Sequence, residues 1–289
     1  MEILSLLKAE RPTLSFEFFP PKNDSGADDL LKTVHELGEL DPAFVSVTYG
    51  AGGTTRTRTR SVVQRILKET SVPTIPHLTC IGHSREEMTE ILDQYASDEV
   101  GTILALRGDP PRDQPDYDRS KDDFKYASDL VRFIKEHPHP FEIGVAGFPE
   151  GHPDTQNRLL EMDYFKEKVD AGADYICTQL FFDNHDFLDY RERCQLAGID
   201  LPIVAGIMPI TTLASMKRMA ELAAGSHFPA KLLKALSSAG HDADAIRQAG
   251  IDYAIVQCQH LIEYQVSGLH LYTLNKSNAT RAIADSLVF

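Results

Sequence analysis

Short apolar runs alternate with amphipathic segments along the whole 289-residue chain, and this alternation limits the available folds more than any other feature. Several runs are continuously apolar, which is typical of parallel strands covered on both faces. The eight predicted strands are Leu14–Phe19, Phe44–Tyr49, Thr74–Cys80, Thr102–Arg107, Glu142–Phe148, Tyr175–Phe181, Ile203–Met208 and Leu269–Leu274. Helical periodicity falls between them, at Asp28–Leu40, Thr57–Lys68, Arg85–Ala96, Ala127–Lys135 and Glu161–Ala171.

Eight strands, each followed by helical sequence, predict an α/β chain with one domain over residues 1–289, a (β/α)8 TIM-type barrel. A doubly wound sheet is the alternative. Such a sheet usually carries a Gly-rich turn after its first strand, whereas here that strand runs into Phe19-Pro20-Pro21. The longest irregular stretch, Asp109–Asp123, follows the fourth strand and reads either as a lid or binding loop or as a solvated insertion.

Charge and composition exclude several classes of protein. The 29 Lys and Arg against 43 Asp and Glu give a net charge of −14, which disfavours a nucleic-acid partner. The N-terminus lacks the pattern of a secretory signal, and no apolar stretch approaches the ~18 residues of a membrane span. The four cysteines are widely spaced, which favours buried reduced thiols. These features predict a cytoplasmic protein with no membrane association, and its exposed helix faces make a homo-oligomer an open expectation.

Glu17 is the first candidate for chemistry. Side chains alternate along a strand, so Ser15, Glu17 and Phe19 share one face while Phe16 and Phe18 share the other. If the second face packs on helices, Glu17 points into the barrel mouth beside an aromatic ring. Burial there disfavours the charged form of a carboxylic acid, as a general acid working near neutrality requires. A surface Glu on an edge strand explains the same pattern equally well.

Other polar residues also lie where the predicted strands end. Arg107 can hold a phosphate or carboxylate by two parallel hydrogen bonds, and Asp109 supplies a fixed negative charge, although a surface Arg–Asp pair is the simpler reading. Gln179 would be costly to bury unpaired and can both donate to and accept from a heterocycle. Thr48 and Tyr49 precede a Gly-rich turn. His77 is a lone strand histidine without a metal-ligand partner set, so no metal site is predicted.

These residues gain weight together, because strand C-terminal ends of a parallel barrel converge on one mouth. Glu17, Thr48, His77, Arg107, Asp109 and Gln179 all fall at or near such ends. The residues alone therefore predict a barrel enzyme with an acid, a fixed anion and a phosphate-binding group, and they do not specify the substrate.

Six strings, in order, resemble the catalytic barrel of the 5,10-methylenetetrahydrofolate reductase family. They are Ser15-Phe-Glu-Phe-Phe-Pro-Pro21, Phe44-Val-Ser-Val-Thr-Tyr-Gly50, Pro76-His-Leu-Thr-Cys80, Ala105-Leu-Arg-Gly-Asp109, Thr178-Gln-Leu-Phe-Phe182 and Tyr272-Thr-Leu-Asn275. The resemblance runs from about Leu14 to Asn275. It implies an enzyme of the bacterial type, with the catalytic barrel only, that reduces methylenetetrahydrofolate to 5-methyltetrahydrofolate. FAD would be the cofactor and NADH or NADPH the electron donor, in a ping-pong reaction.

The resemblance also implies roles for residues. Glu17 would protonate N10 of the folate, and Asp109 would contact the pterin and stabilise the resulting cation. Gln179 would serve folate and nicotinamide in turn, with Thr48 beside the nicotinamide. Ser215 and Lys276 fall where substrate contacts are expected. The FAD contacts would be Tyr49, Ala51, His77, Arg107, Gly108, Asp109, Tyr126, Ala127, His152 and Lys168.

Five positions depart from the family pattern. Around FAD, Phe148 stands where Tyr is common and loses a hydroxyl contact, Glu161 replaces the usual Asp, and Tyr164 replaces a smaller polar residue. Around the substrate, Lys276 replaces an Arg and cannot match its two-pronged binding of carboxylates. Met219 falls where an aromatic ring can stack on the substrate. None of the five is a proposed catalytic residue.

Two other functions compete with the flavin reductase. One is a flavin-free barrel lyase or aldolase that uses Glu17 for proton transfer. The other is a non-catalytic barrel that binds a ligand. Bound flavin discriminates both from the reductase. The choice between NADH and NADPH stays open, because this fold has no Rossmann-type selector residue.

Overall fold

Eight parallel strands close into a barrel, each strand paired to the next along the chain and the eighth to the first. The computed structural model describes residues 3–21, 23–49, 56–111, 114, 116–223 and 225–288. The closed parallel barrel confirms the TIM-type fold and excludes the doubly wound sheet. The strands are β1 Thr13–Phe18, β2 Phe44–Val47, β3 Thr74–Thr79, β4 Thr102–Leu106, β5 Glu142–Gly147, β6 Tyr175–Thr178, β7 Ile203–Ile207 and β8 Gly268–Tyr272.

Helices surround the barrel and separate successive strands. They are α1 Ile3–Leu7, α2 Asp24–Gly38, α3 Arg56–Glu69, α4 Arg85–Ser97, α5 Ala127–Lys135, α6 Arg158–Asp170, α7 Asn184–Leu196, α8 Leu213–Leu222, α9 Ala230–Ser238, α10 Ala243–Glu263 and α11 Asn278–Ala284. All five predicted helices are present. The predicted strands run one to three residues past the observed C-terminal ends, because the apolar sequence continues into the loops that form the mouth.

Each strand presents one face to the helices and the other to the barrel interior. On β1 the outward Phe16 and Phe18 are fully buried in the cluster that joins strands to helices, as predicted. The inward face of the same strand carries Ser15 and Glu17, both buried. A polar side chain inside the barrel is costly without partners, so the interior near Glu17 must supply them.

The short helix α1 closes the end of the barrel opposite the mouth. Ile3 and Leu7 are buried in one apolar cluster with inward-facing strand residues such as Phe44 and Tyr175. Glu142, the first residue of β5, accepts the backbone N–H of Ile3 at 3.0 Å and so caps the helix N-terminus. The bottom of the barrel is therefore apolar and plugged, which leaves the opposite end for chemistry.

Three helices separate β7 from β8, where the simple repeat has one. α8, α9 and α10 share a third apolar cluster, in which Met219 and Leu232 are buried. The longest of the described helices, α10, packs closely against the chain that follows β7. None of the described helices has the length and apolar character to cross a membrane.

Gly250 is the point of closest approach between α10 and the chain after β7. A Cβ placed on Gly250 would lie 1.7 Å from the backbone oxygen of Ile210. We expect Gly250→Ala to lower the free energy of unfolding by about 3 kcal/mol, because neither backbone can move aside cheaply. Gly101→Ala is the matched control, since nothing lies within 4 Å of its added Cβ. Urea unfolding of both variants measures the difference, and equal stability of the two would contradict this packing.

Candidate active site

Glu17 lies inside the barrel near its open end, between two imidazole rings. β1 holds it beside Ser46 of β2 and Tyr272 of β8, its register partners on either side. Its carboxylate oxygen Oε2 lies 3.4 Å from Nε2 of His77 and 3.6 Å from Nε2 of His270. The Glu17 side chain is 8% exposed, so the group is shielded from bulk water yet still reachable from the mouth.

The imidazole of His270 forms hydrogen bonds with two serines. Its Nδ1 lies 2.8 Å from Oγ of Ser15, and its Nε2 lies 3.1 Å from Oγ of Ser46. The ring stacks on Phe44 at a centroid distance of 5.5 Å and is 1% exposed. Each nitrogen of the ring therefore has a hydroxyl partner, and the imidazole forms a fixed floor under the Glu17 carboxyl.

His77, on β3, lies beside Glu17, with its Nε2 3.4 Å from the Glu17 carboxylate. Burial lowers the pKa of His77 to about 4, and the neighbouring His270 adds to that effect while Glu17 opposes it. His77 is therefore neutral near pH 7. Its buried Nε2 finds no hydrogen-bond partner among the described residues, although Glu17 is 3.4 Å away. A buried nitrogen without a partner requires an explanation, and a ligand bound in the barrel mouth would provide one.

The opposite wall of the mouth consists of groups that stay protonated. Burial raises the pKa of Tyr272 well above its usual value, and the nearby Glu17 adds to this rise. The Tyr272 hydroxyl donates to the backbone oxygen of Thr178 at 3.0 Å, which ties β8 to β6. Burial also raises the pKa of the Cys177 thiol. Tyr272 and Cys177 therefore place neutral side chains near the Glu17 carboxyl group.

A connected set of polar side chains lies along one side of the mouth, after β4 and β5. Arg107, Asp154, His152 and Glu161 form this rim group. Arg107 Nη2 lies 3.2 Å from Asp154 Oδ2. The backbone N–H of Asp154 donates a hydrogen bond to His152 Nδ1 at 3.1 Å. The backbone N–H of His152 in turn donates to Glu161 Oε1 at 2.6 Å. Five sequence-predicted residues come together here, since Phe148 packs its ring edge on His152 and Lys168 lies on the adjacent α6.

Lys168, next to the rim group, has a pKa well below the usual value for a lysine. Burial lowers its pKa to about 8, with Glu161 opposing the shift. Its Nζ donates to the backbone oxygen of Ala146 on β5 and sits 4.9 Å from the centre of the Phe165 ring. None of the described carboxylates forms an ion pair with this lysine, so it is well placed to attract an anionic ligand.

Both carboxylate oxygens of Glu161, a predicted FAD contact, already have partners within the protein. Its Oε1 accepts the N–H of His152, and its Oε2 lies 3.0 Å from Arg158 Nη1. The longer Glu side chain therefore caps its own loop, which a shorter Asp would reach less well. Tyr164 on the same helix is 55% exposed and offers its ring to the surface.

Asp109 and Gln179 extend the mouth from β4 and β6. Asp109 is 87% exposed, with its Oδ1 4.0 Å from Arg107, so its charge faces solvent. Gln179 is half-buried, and its Oε1 accepts the backbone N–H of Leu180 at 2.9 Å. Gly108, which precedes Asp109 in the chain, adopts φ +83°, where an added Cβ would meet Ile81 at 2.7 Å. The glycine lets the backbone after β4 turn tightly at the mouth.

The remaining predicted cofactor residues lie on the neighbouring loops. The backbone of Thr48 continues the β1–β2 ladder by donating to Phe18 at 2.9 Å. The Tyr49 hydroxyl lies 3.2 Å from His83 Nε2. Tyr126 is 64% exposed and caps α5, which begins at Ala127. Ala51 lies outside the described residues.

Ser215 and Lys276 are predicted substrate contacts, and Met219 stands where the family can carry an aromatic ring that stacks on the substrate. Ser215 forms a capping box with Thr212 at the start of α8, its Oγ donating to the Thr212 backbone oxygen at 2.7 Å. Met219 is 2% exposed within the α8–α10 apolar cluster, so it packs the core and presents no surface for stacking. Lys276 is exposed after β8.

His270 and Ser46 are the site residues that sequence reasoning missed. The sequence did contain a signal for them. Polar residues recur two positions apart at Ser15 and Glu17 on β1, at Ser46 on β2 and Thr48 just after it, and at His270 and Tyr272 on β8. Period-two polarity in three strands that become neighbours marks a polar patch inside the barrel. The adjacency of β8 to β1, which closure creates, is needed to see that the three pairs meet.

Comparison with known proteins gives consistent matches. The family model described as methylenetetrahydrofolate reductase matches residues 2–288. The Arabidopsis thaliana methylenetetrahydrofolate reductase (NADH) 1 is 36% identical over 99% of this chain and 50% of its own length. The Schizosaccharomyces pombe methylenetetrahydrofolate reductase 1 is 38% identical over 96% of this chain and 46% of its own. The Escherichia coli 5,10-methylenetetrahydrofolate reductase is 36% identical over 95% and 90%. This chain thus spans about half the length of the plant and fission-yeast relatives.

Two solved structures share the barrel. A Clostridium thermocellum protein described as binding two copies of 5-methyl-5,6,7,8-tetrahydrofolic acid superposes with TM-score 0.66 at 14% identity, covering 98% of this chain and 96% of that one. A Xanthomonas albilineans dihydropteroate synthase superposes with TM-score 0.51 at 17% identity, covering 96% and 92%. At these identities the likeness supports the fold alone.

Proposed function

This chain belongs to the methylenetetrahydrofolate reductase family, and from that membership and the barrel mouth we propose that it reduces 5,10-methylenetetrahydrofolate to 5-methyltetrahydrofolate. FAD is the proposed cofactor, with NADH or NADPH as electron donor in a ping-pong cycle. The observation that carries the proposal is the position of Glu17. Its carboxyl group is 8% exposed and lies 3.4 Å and 3.6 Å from two imidazoles inside the barrel.

Glu17 is the proposed proton donor. Reduction of the methylene bridge requires the five-membered ring to open, and protonation of N10 makes that nitrogen a leaving group. Burial keeps water from competing for the proton, and neutral His77 places no full positive charge against the carboxyl. A folate bound at the mouth would therefore bring N10 to a carboxyl group that little water reaches.

His270, which lies under Glu17, is held by hydrogen bonds at both of its ring nitrogens. Ser15 Oγ donates to the backbone oxygen of Leu269 at 3.2 Å, so it can accept from the N–H at Nδ1 of His270. Nε2 of His270 then accepts from Ser46 Oγ at 3.1 Å. Both nitrogens are engaged, the ring cannot turn, and the carboxyl above it is left to face the mouth. His270 and Ser46 are therefore proposed positioning residues for the acid.

Asp109 and Gln179 are proposed to handle the folate. Ring opening leaves a cationic iminium group, and a fixed carboxylate at the mouth stabilises it. Asp109 is solvent-exposed in the free protein, so its effect depends on the ligand excluding water around it. The carboxamide of Gln179 can donate to and accept from either a pterin edge or a nicotinamide amide, which suits two ligands that bind in turn.

The residues along the mouth fit the proposed FAD. The orphaned Nε2 of His77 and the tight backbone at Gly108 leave polar groups for a flat ring system. Arg107 and the partly buried Lys168 offer positive charge for a pyrophosphate, and His152 with Phe148 offers ring surface. FAD bound there would supply two-electron storage, accepting a hydride from the nicotinamide and passing it to the folate. Tyr49, Tyr126, Ala127 and Thr48 are proposed to complete the contacts, with Glu161 and Tyr164 at the edge.

Reconstitution with FAD tests the cofactor proposal. The purified protein is expected to bind one equivalent of FAD, become yellow and lose its flavin absorption when NADH or NADPH is added without oxygen. Comparing the two nicotinamides at equal concentration also identifies the donor. Protein that binds no FAD would contradict the proposal and favour a flavin-free lyase or aldolase if folate is converted, or a ligand-binding barrel if it is not.

A further inference from the structure

A group of metal-ligating side chains lies outside the site described above. Glu150 follows β5, Asp186 lies in the first turn of α7, and His227 lies between α8 and α9. One ligand atom from each residue falls within 4.8 Å of the other two. Three separate segments of the chain therefore bring two carboxylates and one imidazole to a single point.

The two carboxylates of this group differ in their hydrogen bonds. Oε1 of Glu150 accepts the backbone N–H of His227. Oδ2 of Asp186 is buried and accepts no hydrogen bond from any described residue. Its contact with His227 Nδ1, at 3.7 Å, is too long for one. A buried carboxylate oxygen without a donor, aimed at a second acid and an imidazole, points to a cation.

His227 is already tied to this point through its backbone. Its N–H donates to Glu150 Oε1 at 2.5 Å, which fixes the loop after α8 against the loop after β5. The imidazole itself is 58% exposed. Tetrahedral coordination with bonds of about 2.0–2.2 Å requires ligand atoms about 3.4 Å apart. The His227 Nδ1 to Asp186 Oδ2 distance of 3.7 Å is already close to that value, and the three ligand atoms all lie within 4.8 Å of one another.

We propose that Glu150, Asp186 and His227 bind a divalent cation of the zinc type. One imidazole nitrogen with carboxylate oxygens suits Zn²⁺, whereas Ca²⁺ and Mg²⁺ prefer sets made only of oxygen. Two negative side chains balance the charge of the ion, and three protein ligands leave one position for water. The bound ion would cross-link α7, the β5 loop and the α8–α9 loop, next to the barrel mouth.

Zinc titration of the full chain tests the site. After chelator treatment and dialysis, calorimetry with ZnCl₂ is expected to show one saturable equivalent and a rise in Tm on binding. Co²⁺ in its place is expected to give visible absorption from nitrogen–oxygen coordination. Glu150→Gln, Asp186→Asn and His227→Gln should each weaken binding by at least about 100-fold, since loss of a ligand exceeds loss of an outer contact.

Two control variants separate this site from general binding to an acidic surface. Glu192→Gln and His241→Gln each remove an exposed carboxylate or imidazole elsewhere and should leave the zinc equivalent intact. His227→Gln alters an exposed side chain, so it keeps the test valid if an acidic variant folds poorly. Absence of a saturable equivalent, or equal binding by all five variants, would overturn the proposal. FAD binding by the same variants reports on the proposed function separately.

Discussion

Glu17→Gln is expected to slow the reduction of methylenetetrahydrofolate by about 10³-fold while leaving reduction of bound flavin by the nicotinamide within about twofold. The carboxamide keeps the shape and polar contacts of the side chain between His77 and His270 but has no proton to give to N10. Hydride transfer from the nicotinamide needs no proton from this position. Anaerobic stopped-flow absorbance measures the two half-reactions separately.

The matched control is Glu142→Gln, a second glutamate of the barrel interior. Glu142 lies at the opposite end, where it caps α1 and accepts a hydrogen bond from Thr102 at 2.9 Å. We expect this variant to be less stable yet to keep both half-reactions. If Glu17→Gln reduced the folate at the rate of the unaltered protein, the acid role of Glu17 would be wrong. Equal losses in both half-reactions would instead indicate damage to the mouth as a whole.

Asp109→Asn is expected to slow the folate half-reaction by about 10²-fold and the flavin half-reaction by much less. The substitution removes one negative charge next to the position proposed for the iminium cation and keeps the size of the side chain. In the free protein Asp109 is 87% exposed, so the charge acts strongly only when bound ligands displace water from it. The effect should therefore appear in the rate of the chemical step more than in the stability of the protein.

Asp154→Asn serves as the control for Asp109, because both carboxylates lie beside Arg107. Asp154 belongs to the rim group that is proposed to hold FAD, so its loss should change FAD affinity and leave the folate step of the loaded enzyme unchanged. A larger effect of Asp154→Asn than of Asp109→Asn on the folate step would contradict the roles assigned to the two residues.

Much of the fold could be predicted because the alternation of apolar and polar residues within each strand is a local property of the sequence. Period-two alternation on β1 placed Phe16 and Phe18 outward and Glu17 inward, and the structure confirms both. The plug formed by α1 was not predicted, since five residues of helix carry no periodicity that distinguishes them from loop. Its stability comes from tertiary contacts of Ile3 and Leu7 with the barrel interior.

Site residues could be predicted from the sequence only where a polar residue stood at the end of a predicted strand. Glu17, His77 and Arg107 stand out along the sequence, and barrel closure brings their strands to one mouth. His270 did not stand out, because its partners Ser15 and Ser46 lie more than two hundred residues away and meet it only when β8 pairs with β1. Met219, which departs from the family pattern, is buried in the core, where it belongs to the α8–α10 apolar cluster. The single domain, the oligomeric state and the individual ligand contacts stay predictions.

The most direct test of the account is a two-step anaerobic experiment on the FAD-loaded protein. One equivalent of NADH or NADPH first bleaches the flavin, and methylenetetrahydrofolate is then added with no further donor. We predict that flavin absorption returns and that one equivalent of 5-methyltetrahydrofolate appears by mass spectrometry. Flavin that stays reduced in the presence of the folate, or returns without forming this product, would contradict the proposed reductase.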